Sequence, residues 1–251
     1  MITVQVDGRP ATAEQLAALL LSNYGHFTAL QVRAGRTRGL ALHLDRLDGA
    51  TRELFDTALD TERARDHLRH ALAGTADAAV RVIVVRPGDR AEPSVLVVVR
   101  PPMSPPPTAQ RLMSVPYLRP AAHLKHLGGF GQSYHGARAR RRGFDDALLT
   151  GPDGLIAEAA IANVAFFDGT AVIWPDAPCL GGITMRLLEP RLPSRRAPVH
   201  LADVPSFAAA FVANSIGVAP VARVDDVDLP VDVDLMKTVA DAYDAVPWDP
   251  I

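Results

Sequence analysis

Five of the seven residues in Pro101-Pro102-Met103-Ser104-Pro105-Pro106-Pro107 are proline. A proline fixes φ and has no N–H to give a sheet ladder, so clustered prolines stay stiffly extended and interrupt any strand or helix. The 251-residue chain is expected to divide here, into an N-terminal domain over 1–104 and a C-terminal domain over 105–251. Strands and helices alternate before the break. Ile2 to Val6, Phe27 to Val32, Gly39 to Leu42, Ala79 to Val85 and Val95 to Val99 read as strands. Thr12-Ala-Glu-Gln15 opens a helix with capping-box spacing, and helices are predicted from about His43 to Phe55 and from Thr61 to Ala73. After the prolines come a strand over Arg111 to Leu118, a helix over Phe130 to Arg142 and a hairpin over Ala147 to Glu158. A second hairpin turns at Asp168-Gly169, a helix begins near Gly182, and Ala209 to Val224 supplies further strands. Both halves read as α/β.

Composition limits the functions open to such a chain. A 48% hydrophobic content with 22% charged residues and a formal charge of −2 describes a soluble globular protein with no basic excess for nucleic acid or a membrane surface. The run Arg138 to Arg142 fits the solvated face of one helix. The single cysteine, Cys179, excludes an internal disulfide and a Cys-only metal site, and no metal is expected. No signal pattern or spanning segment is read, so a cytoplasmic location is expected.

Only two of the 26 Lys and Arg residues are lysines. Lys237 belongs to a polar-faced helical pattern. Lys125 lies in the otherwise uncharged, glycine-rich Leu124-Lys-His-Leu-Gly-Gly-Phe-Gly131, and a lysine amine can lose its proton and attack a carbonyl, which guanidinium cannot do. A lone lysine is also what an ordinary surface charge looks like. Pyridoxal phosphate would need a carboxylate for its ring nitrogen, donors for its phosphate and an apolar surface for its ring. Glu158 stands in apolar surroundings at a strand end, where a carboxylate is costly unless paired. Leu180-Gly-Gly-Ile-Thr184 places two glycines and a hydroxyl at a helix start, which suits an anion or a plain N-cap.

Taken together, Lys125, Glu158, Asn163, Leu180, Gly182-Ile-Thr184 and Asn214-Ser215, in this order and spacing, resemble the class IV, or fold type IV, pyridoxal phosphate enzymes. This family includes branched-chain and D-amino-acid aminotransferases and 4-amino-4-deoxychorismate lyase. The segments Gly143-Phe-Asp-Asp-Ala-Leu148, Gly154-Leu-Ile-Ala-Glu158 and His43-Leu-Asp-Arg46-Leu look like its characteristic stretches. The resemblance implies a smaller N-terminal α/β sandwich domain and a larger C-terminal pseudo-barrel α/β domain. It implies that Lys125 is the Schiff-base lysine and that Glu158 holds the pyridine nitrogen. Arg46, Gly182, Ile183 and Thr184 would bind phosphate, Leu180 would pack on the ring, and Asn163, Asn214 and Ser215 would complete the site. Phe27, Thr28 and, from the turn Arg86 to Arg90 of a neighbouring subunit, Arg90 would face substrate. A homodimer acting on a small amino-acid or aminodeoxychorismate-type substrate is implied.

The finer reading is divided. Met185 stands where many members have Arg, Phe27-Thr28 replaces an aromatic-Glu pair, and Lys125-His126-Leu127 with Asn214-Ser215 looks like the lyases. Gly128-Gly-Phe-Gly131 matches neither group. Transamination, the commoner activity of the family, is the first expectation, lyase chemistry the second, and a cofactor-free binding protein of the same fold the third.

Overall fold

The structure is a computed structural model and describes residues 2–87 and 92–251. The chain forms two compact units, one from Met1–Met103, Leu124–Gly128 and Pro247–Ile251, the other from Ser104–His123 and Gly129–Val246. The first crossing between them lies in the proline run. The chain then returns twice to the first unit, once to place Lys125 and once at its C-terminus.

In the first unit, β1 (Thr3–Val6), β2 (Arg9–Pro10), α1 (Ala13–Leu21), β3 (Gly25–Val32), β4 (Arg36–Arg38), α2 (Leu40–Phe55), α3 (Thr61–Ala71), β5 (Ala78–Val85) and β6 (Ser94–Arg100) follow one another. Five strands pair antiparallel in the order β2-β1-β6-β5-β3. Strand side chains alternate between faces, and Leu30, Val32, Val80, Val82, Val84, Val95, Val97 and Val99 share the face covered by Leu47, Phe55 and Leu68 of α2 and α3. Burying one such side chain contributes on the order of 2 kcal/mol. The opposite face carries a smaller cluster of Val6, Val85 and Leu96, with Leu19, Ile83 and Leu127 against it. Ala34 and Gly35, at φ 48° and 71°, make the tight turn from β3 to β4.

The strand expected over Gly39 to Leu42 is not formed. Gly39 has φ 69° and ψ 42°, and α2 starts at Leu40, three residues before the expected His43. The N–H of Leu40 donates to Asp249 Oδ2 at 2.8 Å. A cap from the far end of the chain leaves no local signal.

The second unit contains β7 (Gln110–Pro116), α4 (Phe130–Arg141), β8 (Asp146–Thr150), β9 (Ile156–Ala159), β10 (Asn163–Phe167), β11 (Val172–Pro175), α5 (Ile183–Leu188), β12 (Ser194–Ala197), β13 (Ala209–Asn214), β14 (Gly217–Val224), β15 (Val227–Asp228) and α6 (Val233–Asp244). Its sheet runs β12-β11-β10-β13-β14-β7-β8-β9, with β15 on β14. The far strand β9 comes back against β10 and β11, so the sheet curls into a half-barrel. Both faces are packed, one through Leu148, Phe166 and Ile173, the other through Trp174, Phe211 and Leu188. The hairpins turn as expected at Gly154 and Gly169, at φ 83° and 95°. The last strand, β16 (Trp248–Pro250), belongs to the first unit and pairs antiparallel with β4.

Candidate active site

Lys125 is built onto β3. The N–H of Phe27 donates to the Lys125 carbonyl at 2.9 Å and the N–H of Leu127 to the Gly25 carbonyl at 2.8 Å, with His26 and His126 bridged between them. This two-bond extension fixes the backbone on either side of the amine. The half-buried Lys125 turns its Nζ over the Phe27 ring, 5.0 Å from the centroid. The guanidinium of Arg81 meets the same ring at 5.1 Å. Cations on an aromatic face gain from its quadrupole.

The structure places Thr28, expected to face substrate, in the core. Alternation along β3 turns it away from Phe27 and toward α2, where it is 1% exposed and its hydroxyl lies 2.6 Å from His43 Nδ1. Burial, with the nearby charges of Arg46 and Lys125 adding to it, lowers the His43 pKa to about 3. The imidazole is neutral at physiological pH. His43 was legible only as the first residue of the His43-Leu-Asp-Arg46 segment. Arg46 follows one turn later on α2. Arg90 lies outside the described residues.

The other expected residues lie in the second unit. Glu158, on β9, is 5% exposed and forms an ion pair with Arg119, whose Nε is 2.6 Å from Glu158 Oε1. Arg119 also donates to the Ala122 carbonyl. The second carboxylate oxygen accepts from the N–H of Leu180 at 3.2 Å. The Leu180 carbonyl in turn accepts from Asn163 Nδ2 at 2.7 Å and from the N–H of Gly182 at 2.8 Å. Glu158, Asn163, Leu180 and Gly182 thus form one hydrogen-bonded group. A Cβ on Gly182 would run into Asn163 Oδ1, which explains glycine there.

Gly182 precedes α5, whose first-turn N–H groups, those of Ile183 and Thr184, have no carbonyl within the helix to meet. The Thr184 hydroxyl donates to the Asn214 carbonyl at 2.7 Å, bringing the end of β13 to the start of α5. Asn214 accepts from the N–H of Ile216 at 2.8 Å, and Ser215 lies half-buried between them. Arg119 was missed from sequence. Its signal was a single arginine in the apolar stretch shortly before Lys125.

The pattern of the Amino-transferase class IV family matches residues 25–224, most of the chain. The chain belongs to the class IV aminotransferases. Among solved structures, the 4-amino-4-deoxychorismate lyase of Pseudomonas aeruginosa is 26% identical, with 97% of this chain and 99% of that one covered and a TM-score of 0.84. A hypothetical aminotransferase from Mycobacterium tuberculosis is 23% identical over 98% of each chain, with a TM-score of 0.85. A fold IV transaminase from Curtobacterium pusillum is 20% identical over 96% and 97%, with a TM-score of 0.83. No curated protein matches the chain significantly. The family's fold, an N-terminal sheet-and-helix unit with a C-terminal half-barrel, is the fold described above.

Each unit of this member of the family carries groups that suit pyridoxal phosphate on their chemistry, Lys125 in the first and Glu158 and Thr184 in the second. The first offers a primary amine resting on an aromatic ring, and the second a buried carboxylate held by two donors and helix-start amides next to a hydroxyl. Among the described residues, no three His, Cys, Asp or Glu side chains cluster as metal ligands would, and no helix is long and apolar enough to cross a membrane.

Proposed function

We propose that this protein is a pyridoxal-phosphate-dependent enzyme working at the Cα of an amino-acid substrate, with transamination as its reaction. The observation that carries the reading is the family match over residues 25–224, which spans every motif residue from Phe27 to Ser215. The M. tuberculosis relative has been solved in a PLP-bound form and in an alpha-ketoglutarate and PMP bound form, which supports the cofactor and a keto-acid acceptor.

In this reading Lys125 tethers the cofactor, Glu158 holds the ring nitrogen and Leu180 lies against the ring. Arg46, the amides of Ile183 and Thr184 and the Thr184 hydroxyl hold the phosphate, with Asn163 and Gly182 shaping the cradle and Asn214 and Ser215 closing it. When bound, the cofactor supplies an aldehyde for amines and an electron sink that spreads negative charge away from Cα. The amine of Lys125 is the base that takes the Cα proton and the acid that returns a proton. Its backbone bonds to β3 hold it in place, and the Phe27 ring directs Nζ. Arg119 and the Leu180 N–H supply the partners that a carboxylate in the apolar interior needs, and so hold Glu158 in place.

A second reading is 4-amino-4-deoxychorismate lyase, with release of pyruvate. The 26% identity to the P. aeruginosa lyase over nearly the whole of both chains favours it, as do Lys125-His126-Leu127 and Phe27-Thr28. Both enzymes would work as homodimers in the cytoplasm, with Arg90 reaching the neighbouring subunit's substrate. Amino donors added one at a time to the cofactor-loaded protein separate the readings. Conversion of the cofactor spectrum to its amine form indicates transamination, whereas pyruvate release from aminodeoxychorismate without an acceptor indicates the lyase. A protein that develops no cofactor absorbance would be a binding protein of the fold.

A further inference from the structure

α2 carries His43 and Arg46, yet it starts at a residue with nothing to cap it. Gly39 is left-handed and has no side chain, while the first N–H groups of a helix need acceptors. The acceptor comes from the other end of the chain. Asp249 Oδ2 takes the Leu40 N–H at 2.8 Å across 209 residues, and its negative charge sits at the positive end of the helix dipole.

The strand that delivers Asp249 is held from several sides. β16 pairs with β4, matching Trp248, Asp249 and Pro250 with Arg38, Thr37 and Arg36. The Arg38 guanidinium lies 4.3 Å from the centre of the Trp248 ring. Arg65 and Arg69 of α3 donate to the Pro250 and Ile251 carbonyls at 3.1 and 3.2 Å, and Ile251 packs against the main core of the unit. The segment is an integral strand whose acid points at one helix end.

The turn capped by Asp249 leads to Lys125 through contacts already described. The N–H of His43 closes the first turn on the Gly39 carbonyl at 3.2 Å, and His43 Nδ1 meets the Thr28 hydroxyl. Thr28 adjoins Phe27, whose N–H holds the Lys125 carbonyl and whose ring faces the Lys125 amine. We propose that Asp249 is a positioning residue for the first unit's share of the site, fixing the first turn of α2 and thereby His43, β3 and the Lys125 segment. Its consequence for cofactor affinity rests on the function proposed above.

The test compares Asp249→Ala and Asp249→Asn in the full chain with Asp60→Ala. Asp60 caps α3 of the same unit by accepting from the Arg63 N–H, so its loss is a cap loss on a helix that carries neither His43 nor Arg46. Hydrogen exchange of the Leu40, Phe27 and Leu127 amides is measured together with the dissociation constant for pyridoxal phosphate. Losing a cap worth about 1 kcal/mol predicts about fivefold faster exchange at all three amides in Asp249→Ala and about fivefold weaker cofactor binding. Asp249→Asn, which keeps an acceptor, should restore both, and Asp60→Ala should leave both at wild-type values. Asp249→Ser, one bond too short to reach Leu40, replaces alanine if that variant does not fold. Wild-type exchange at Phe27 and Leu127 in Asp249→Ala, with a melting temperature lowered as in Asp60→Ala, would overturn the proposal. Wild-type protein that binds no pyridoxal phosphate would defeat the functional reading instead, and the exchange rates would still decide the role of Asp249.

Discussion

Arg119 and Glu158, 39 residues apart in sequence, meet at 2.6 Å with side chains only 4% and 7% exposed. Glu158 is the residue assigned to the cofactor ring, and Arg119 compensates its charge within the protein. Taking two charges out of water is costly, and removing one partner leaves the other buried and unpaired. Arg119→Met should destabilise the protein by about 3–5 kcal/mol in urea unfolding. Glu158→Gln combined with Arg119→Met should cost less than Arg119→Met alone. A cost for Arg119→Met below about 1 kcal/mol, the range of exposed pairs, would mean that the pair is not buried in solution.

Gly182→Ala should be destabilising although its backbone, at φ −60° and ψ 139°, suits any residue. The added methyl would collide with Asn163 Oδ1, and overpacking of this kind costs about 1–3 kcal/mol. Asn163→Ala removes the obstacle, so the two changes should be non-additive, with the double variant more stable than the sum predicts. Thermal melts of the four proteins check this. Additivity would place the two side chains out of contact.

Stability should fall on acidification through two histidines. Burial lowers the His26 pKa to about 4 and, with Arg46 and Lys125 nearby, that of His43 to about 3. Both are below the ordinary value of 6.5, so the unfolded chain binds more protons as pH falls below that value. Each histidine then removes up to about 1.4 kcal/mol per pH unit until its folded pKa is reached, and nothing above about pH 7. Asp146 acts in the opposite sense. Burial raises its pKa to about 6 from 3.8, so its contribution grows as pH falls through that window and offsets one histidine. Urea titrations from pH 7 to 4.5 should show a net loss in the wild type and a shallower one in His43→Asn. Equal slopes would show that His43 titrates normally in the folded state.

The elements whose evidence is local were legible in the sequence. Alternating β-branched runs gave β3, β5 and β6, and Asp168-Gly169 gave its hairpin. Elements fixed by distant partners were not. The start of α2 depends on Asp249, and β16 depends on pairing with β4. The strand Ser194-Arg-Arg-Ala197 has no apolar alternation and exists because it pairs with β11. The site divides in the same way. Lys125, Glu158 and Gly182-Ile-Thr184 announce themselves by residue type and neighbours, whereas Arg119 acquires its role only when β9 is folded beside it. Thr28, which the resemblance takes together with Phe27, lies on the other face of β3, because a strand sends neighbours to opposite faces.

The assignment of Lys125 as the covalent anchor is tested most directly by borohydride reduction of the cofactor-loaded protein, followed by peptide mass spectrometry. Lys237, paired with Asp241 on the surface of α6 at 2.5 Å, is the internal control, being the second lysine of the chain. The account predicts a phosphopyridoxyl mass on the peptide containing Lys125 and none on that containing Lys237, with the label lost in Lys125→Ala. A label on Lys237, or none on either lysine, would contradict it.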